Sequence, residues 1–180
     1  MKKTILVFGI ISGLIMSVMF LITLPFHDRM SMEQGMIIGY AGMIAASLLI
    51  YFGVRSYRDS QGGGKIGFGR AFGLGMAIVA VSGVLYVATW EIVYPVYMPD
   101  FYEKYAERRV AAAEAKGATP AEVAALRAGI DKEVAMYKQP LLNMLMTFLE
   151  PLPVGLIASL ISAWALSRRR REGVPVTATA

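Results

Sequence analysis

Cysteine is absent from this 180-residue chain, histidine occurs once, and Asp, Glu, Lys and Arg together supply only 17% of it. The missing cysteines exclude a disulfide scaffold. One histidine makes no metal site, and the sequence offers no Ser-His-Asp set, zinc helix or paired acid–base constellation. Ordinary soluble domains are about 25% charged and about 45–50% apolar. Here 56% of residues are hydrophobic and the mean hydropathy is +0.53. That balance excludes disorder and collagen and argues against a soluble enzyme. At about 100–200 residues per domain, the chain is one structural unit.

What is present is four long apolar runs. Residues 4–24 and 35–54 carry no charge; residues 71–94 carry only Glu91 and residues 141–166 only Glu150. A helix rises about 1.5 Å per residue, so about 20 residues cross a hydrocarbon core of about 30 Å. Backbone inside lipid must satisfy its own hydrogen bonds, which makes each run a helix. The alternating segments of about 10 residues that a membrane β-barrel needs do not occur. Met1-Lys2-Lys3 before an apolar run has the outline of a signal peptide. The run is longer than such a segment, however, and ends at Leu24-Pro25-Phe26-His27-Asp28 without a small-residue cleavage site. It reads as a retained first span.

Charge is distributed by side. Lys2, Lys3, the connection at 55–70 and Arg168–Arg171 place ten basic residues on one side, against Asp59 and Glu172. The other side holds 25–34, with Arg29 against Asp28 and Glu33, and 95–140, with seven basic and seven acidic residues. The positive-inside bias puts both termini in the cytoplasm, in agreement with four spans. The excess of basic residues is therefore a topology signal, and no nucleic-acid partner is expected.

Residues 100–138 read as a helical hairpin outside the membrane. Asp100 and Glu103 have capping-box spacing, Gly117 can close the first helix, and Thr119-Pro120-Ala121-Glu122 starts the second. Val123, Leu126, Ile130, Val134 and Tyr137 form a stripe on that second helix. The loop Gly62-Gly63-Gly64-Lys65-Ile66-Gly67 matches G-x-G-x-x-G but follows a membrane helix instead of a strand, so it reads as a linker. Small residues recur every fourth position in each span: Gly9, Gly13 and Ser17; Gly35 and Gly39; Gly69, Gly73 and Ala77; Gly155, Ser159 and Ala163. Such faces allow close helix packing, within a bundle or between copies. Trp90, Tyr94 and Tyr97 at one end, and Tyr51, Phe52, Tyr57 and Trp164 at the other, read as interfacial belts.

Ionisable side chains within spans are candidate functional residues. Glu91 lies near the outer end of the third span. Glu150 lies deeper in the fourth, before Pro151 and Pro153, whose missing amide donors free carbonyls upstream. Glu150 and Glu91 are the candidate ion, proton or ligand site. His27, Arg29, Lys138 and Asn143 are candidate polar partners.

Ile38-Gly39-Tyr40, Gly53-Val54-Arg55-Ser56-Tyr57-Arg58-Asp59, Phe68-Gly69-Arg70-Ala71-Phe72 and Tyr86-Val87-Ala88-Thr89-Trp90-Glu91-Ile92 form one ordered set of motifs. Pro99-Asp100-Phe101, Met136-Tyr137-Lys138-Gln139-Pro140 and Phe148-Leu149-Glu150-Pro151-Leu152-Pro153-Val154-Gly155 continue it. This order resembles the domain of unknown function (DUF) 4199 family of bacterial four-span membrane proteins. The resemblance covers nearly the whole chain. It implies architecture and carries no activity.

The expected fold is all-α: an integral membrane four-helix bundle with an extracytoplasmic helical hairpin between spans three and four. One domain covers residues 1–171, and 172–180 form a disordered tail. The expected role is a non-catalytic accessory or interaction component of the bacterial inner membrane, needing no cofactor. Its expected partners are the lipid bilayer and a further copy or another membrane protein. A transporter-like, ion- or proton-coupled protein using Glu150 is the alternative, and an intramembrane enzyme a distant third.

Overall fold

The structure, a computed structural model, describes residues 1–26 and 29–168. His27, Arg169–Arg171 and the expected tail at 172–180 lie outside the described residues. Seven α-helices follow in order among the described residues: α1 (Lys2–Thr23), α2 (Met32–Ser60), α3 (Phe68–Tyr97), α4 (Phe101–Ala115), α5 (Pro120–Tyr137), α6 (Pro140–Leu149) and α7 (Leu152–Ser167). Four stretches are long and apolar enough to cross a membrane: Lys2–Phe26, Glu33–Ser60, Phe68–Tyr97 and Pro140–Ser167. Each extends a few residues beyond its apolar run, because the helices continue past the hydrocarbon boundary that composition marks. The fourth is two helices, α6 and α7, meeting at Glu150-Pro151.

The bundle has a base and a mouth. The N-terminus, the 61–67 turn and the end of α7 gather at the base, where the Met1 ammonium donates to Gln61 Oε1 at 2.6 Å. The turn is tight: Gly63 and Gly64 take φ values of +59° and +78°, which glycine adopts without strain. Ile66 anchors it in a core of Ile50, Val54, Ala71, Leu74, Ile78, Val79, Ala163 and Leu166. α1 packs on α2 and α3, and α7 packs on the same two helices.

Close approach and a few polar contacts hold these helices together, since apolar side chains gain little by leaving lipid for one another. A Cβ built at Gly9 would stand 2.6 Å from Val81, and one at Gly13 2.8 Å from Leu85. Gly155 meets Val79 equally closely, at 2.7 Å. Ser12 donates to the Ala46 carbonyl at 3.0 Å, and the Ser17 and Thr89 hydroxyls lie 2.7 Å apart. The small faces of the first and fourth spans are thus packing faces. Those of the second and third are not: Gly35, Gly39, Gly69 and Gly73 have open space where a Cβ would go. In α3, Gly75 and Gly83 take that role, against Ser159 and Phe148. Spacing alone does not reveal which side of an all-apolar helix meets a neighbour.

At the mouth, α4 and α5 pack on each other, and α5 rests on α6. Thr119 and Glu122 form the expected capping box: the Thr119 hydroxyl accepts from Glu122 N and the Glu122 carboxylate accepts from Thr119 N. Gly117, at φ +84°, closes α4. The box expected at Asp100 and Glu103 does not form, because lysines take both carboxylates. Lys104 lies 3.0 Å from Asp100 and Lys138 2.8 Å from Glu103. Ile130 is buried, and the rest of its expected stripe on α5 is half-buried.

Candidate functional site

Three features converge where the fourth span breaks. Pro151 and Pro153 bring no amide hydrogens, so the carbonyls of Thr147 and Leu149 lose the donors of a continuous helix. The break places Glu150 at the junction of α6 and α7. Its side chain is exposed at the bundle surface, and among the described residues Tyr86 is its hydrogen-bond partner, donating to Oε2 at 3.3 Å. Glu150 lies ten residues from Pro140, about 15 Å along the helix. A charged side chain at the bilayer centre costs about 2.5–3.5 kcal/mol on insertion scales. One long hydrogen bond does not offset that.

The expected partners of Glu150 are elsewhere. Asn143 is only 2% exposed and its Oδ1 accepts three bonds: from Trp90 Nε1 at 3.1 Å, Tyr102 OH at 3.2 Å and Thr147 Oγ1 at 3.3 Å. This knot ties α3, α4 and α6 together. Lys138 is spent on Glu103. Arg29 lies exposed in the turn before α2, its backbone N–H donating to the Phe26 carbonyl. His27 lies outside the described residues. Tyr86 was not visible as a partner from sequence. It is 64 residues from Glu150, and the packing of Gly83 on Phe148 together with the Trp90–Asn143 bond brings the two helices into register.

Around the Asn143 knot is an aromatic cluster. Trp90 stacks on Tyr94 at 5.5 Å, meets Phe101 edge-on at 5.2 Å and tilts against Phe20 at 5.5 Å. Tyr102 stacks on Tyr137 at 5.0 Å. Trp90 is therefore no belt residue; its indole N–H is drawn inward by the Asn143 oxygen, leaving it 9% exposed. Tyr97, Phe52 and Trp164 do remain exposed, and the Arg168 guanidinium sits 3.6 Å over the Trp164 ring. Burial pushes the Tyr102 phenol well above its ordinary range, so it stays a donor. Glu91 sits at the edge of this cluster. Its Oε1 is buried without a hydrogen-bond partner among the described residues.

The mouth is open on one side. On α2, Val54, Ile50, Ala46 and Gly42 follow one another at helical spacing toward the mouth, and all are buried. The same face continues through Gly39 and Gly35. Gly42 still meets Met19, at 3.3 Å from a built Cβ, but Gly39 and Gly35 meet nothing within 4 Å among the described residues. Across the bundle, α6 packs on α3 and α5 and makes no substantial packing with α2. Tyr86 lies on the α3 face that carries Gly75, Val79, Ser82 and Trp90, all buried, yet is itself only half-buried. Beyond the break at Glu150, α6 therefore does not continue the packing of α7 on α2.

A family profile described as "Protein of unknown function (DUF4199)" matches residues 7–168. The chain belongs to that family, an uncharacterised one whose expected all-helical, four-span architecture the structure displays. No curated protein and no solved structure matches the chain.

Proposed function

We propose that this family member is a non-catalytic interaction component of a bacterial inner membrane, with both termini cytoplasmic and α4 and α5 outside. The sidedness rests on the ten basic residues flanking the basal ends of the spans and on the positive-inside rule. The interaction role rests on one observation: the packed face of α2 runs on into Gly39 and Gly35 with no neighbour among the described residues. Glycines one helical turn apart, facing open space at membrane depth, let another backbone come close. Site-specific photo-crosslinking in native membranes tests this. A benzophenone side chain replacing Tyr40, on that half of α2, should give one adduct of defined mass that disappears on Gly39→Trp. Ile161, exposed on α7, serves as the lipid-facing control. Only unshifted protein from the Tyr40 probe contradicts the proposal.

A second reading is favoured by the helix break. A carboxylate beside two freed carbonyls and a tyrosine hydroxyl is a set of oxygens suited to a proton or a cation. On that reading Glu150→Gln abolishes cation or proton flux into proteoliposomes. Absence of flux with the unsubstituted protein sinks it.

A further inference from the structure

Among the described residues a cavity of about 450 Å³ opens at the mouth, between the end of α1 and the corner where α3 gives way to α4. That size falls in the range of small-molecule sites, about 300–1,000 Å³. Leu21, Leu24 and Met98 line its apolar side, and Tyr97, Asp100 and Lys104 its polar side. Leu24 ends the first apolar run, and Tyr97 is the last residue of α3. The cavity therefore lies at the membrane–water boundary, the level at which tyrosine rings settle. We propose that it holds the headgroup of a phospholipid with a primary ammonium, a phosphatidylethanolamine, from the leaflet on the α4 side. The site draws on α1, α3 and α4 and stands independently of the interaction reading above.

Two features choose this ligand. The first is charge. Lys104 lies 3.0 Å from Asp100, one helical turn away. An ammonium has three donors and a carboxylate about four acceptor sites, so one ion pair exhausts neither. A headgroup bearing both an ammonium and a phosphate completes a ring of alternating charge. Its ammonium donates to the Asp100 carboxylate, and its phosphate accepts from the Lys104 ammonium. An anionic headgroup without the ammonium meets Lys104 but is repelled by Asp100. A quaternary ammonium brings no N–H donor to the carboxylate. The second feature is an apolar track. Leu21, Val18 and Leu14 follow one another at helical spacing down α1, and all three are exposed. They carry the apolar wall of the cavity about 10 Å toward the centre of the bilayer, along the course of an acyl chain. A soluble amine or phosphate makes no use of that track.

The test places the protein in vesicles of phosphatidylethanolamine, phosphatidylcholine and phosphatidylglycerol in equal parts, with identical acyl chains. Native mass spectrometry after extraction reads which lipid stays bound. The ethanolamine lipid should be retained about tenfold over the choline lipid, the worth of one hydrogen bond to a charged group. Asp100→Asn should bring the two to parity. The Asp100 side chain makes no capping bond to α4, so the helix should persist, as circular dichroism checks. Leu21→Trp fills the cavity, leaves both charges in place and should also abolish the preference. Equal retention of the ethanolamine and choline lipids by the unsubstituted protein overturns the proposal, as does a preference that survives either substitution. Preferred retention of the glycerol lipid overturns it in favour of a plain anion site. Displacement of the bound lipid by millimolar O-phosphoethanolamine overturns it in favour of a soluble ligand.

Discussion

At the base of the bundle, α2 presents Ala46, Ile50 and Val54 to its neighbours, and hardly any of their surface remains exposed. At the mouth the same face continues as Gly39 and Gly35 and meets open space. Both halves belong to one helix and one apolar run. The difference lies in the fourth span. Continuous α7 packs on α2 and α3 at the base, whereas α6, beyond the Glu150-Pro151 break, follows α3 and α5. Below the helix break the fourth span packs on α2; beyond it, it packs on α3 and α5 instead. The mouth is held in its own way, by the Asn143 knot and the aromatic cluster around Trp90.

Substitutions that separate the halves should show effects of very different size. Ile50→Ala empties a fully buried site in the base and should cost about 2–5 kcal/mol. Ile37→Ala, at a position 61% exposed near the mouth, should stay within about 0.5 kcal/mol. Equal losses in detergent unfolding would erase the distinction. Gly75→Val forces a side chain against Ser159, whose Oγ lies 2.8 Å from a built Cβ. It should cost about 1–3 kcal/mol, while Gly39→Val leaves the melting temperature nearly unchanged.

Asn143→Leu strands the Trp90 and Tyr102 donors and should cost about 1–3 kcal/mol. Its effect should be local: faster proteolysis within α4 and α5 and a shifted tryptophan emission, with the base intact. Loss of the whole fold would show that the mouth is no separate unit.

The smallest effect belongs to Lys138→Met. The bond from Lys138 holds the Glu103 carboxyl below its ordinary range, and Glu103 raises the Lys138 ammonium in turn. The pair's contribution is present above the unfolded carboxyl pKa and is lost as pH falls through Glu103's lowered value. At the alkaline end it is lost as pH rises through Lys138's raised value. Proteolysis of α4 and α5 should therefore quicken at both extremes, and Lys138→Met should flatten both limbs. Both side chains are more than half exposed, so salt should weaken the effect.

The four spans, the Thr119 box and the turn at Gly117 were legible because each depends on residues close in sequence. The Ser31–Gln34 capping box of α2 was legible in the same way, from its Ser-x-x-Gln spacing, and was missed. What sequence did not reveal depends on which face turns inward. Trp90 reads as a belt residue until the Asn143 oxygen draws it in. Gly35 and Gly69 share their spacing with Gly9 and Gly155, yet only the latter pair meets a neighbour. Asn143 reads as a partner for Glu150 because it lies in the same span. Seven positions apart on one face, the two stand about 10 Å from each other along the helix axis, and Asn143 meets donors from α3 and α4 instead. Glu150 itself was legible as an exception to composition, while Tyr86 required the register of α3 on α6.

The open mouth is tested most directly by distances between spin labels in lipid nanodiscs, which the cysteine-free sequence makes simple. One double-cysteine variant carries labels on α2 and α6, through Gly39→Cys and Leu145→Cys. The other carries them on α2 and α7 at the base, through Phe52→Cys and Trp164→Cys. The mouth pair should give the longer and broader distribution. A mouth distance as short and narrow as the base distance would mean that α2 and α6 already close on each other, and would contradict the open face.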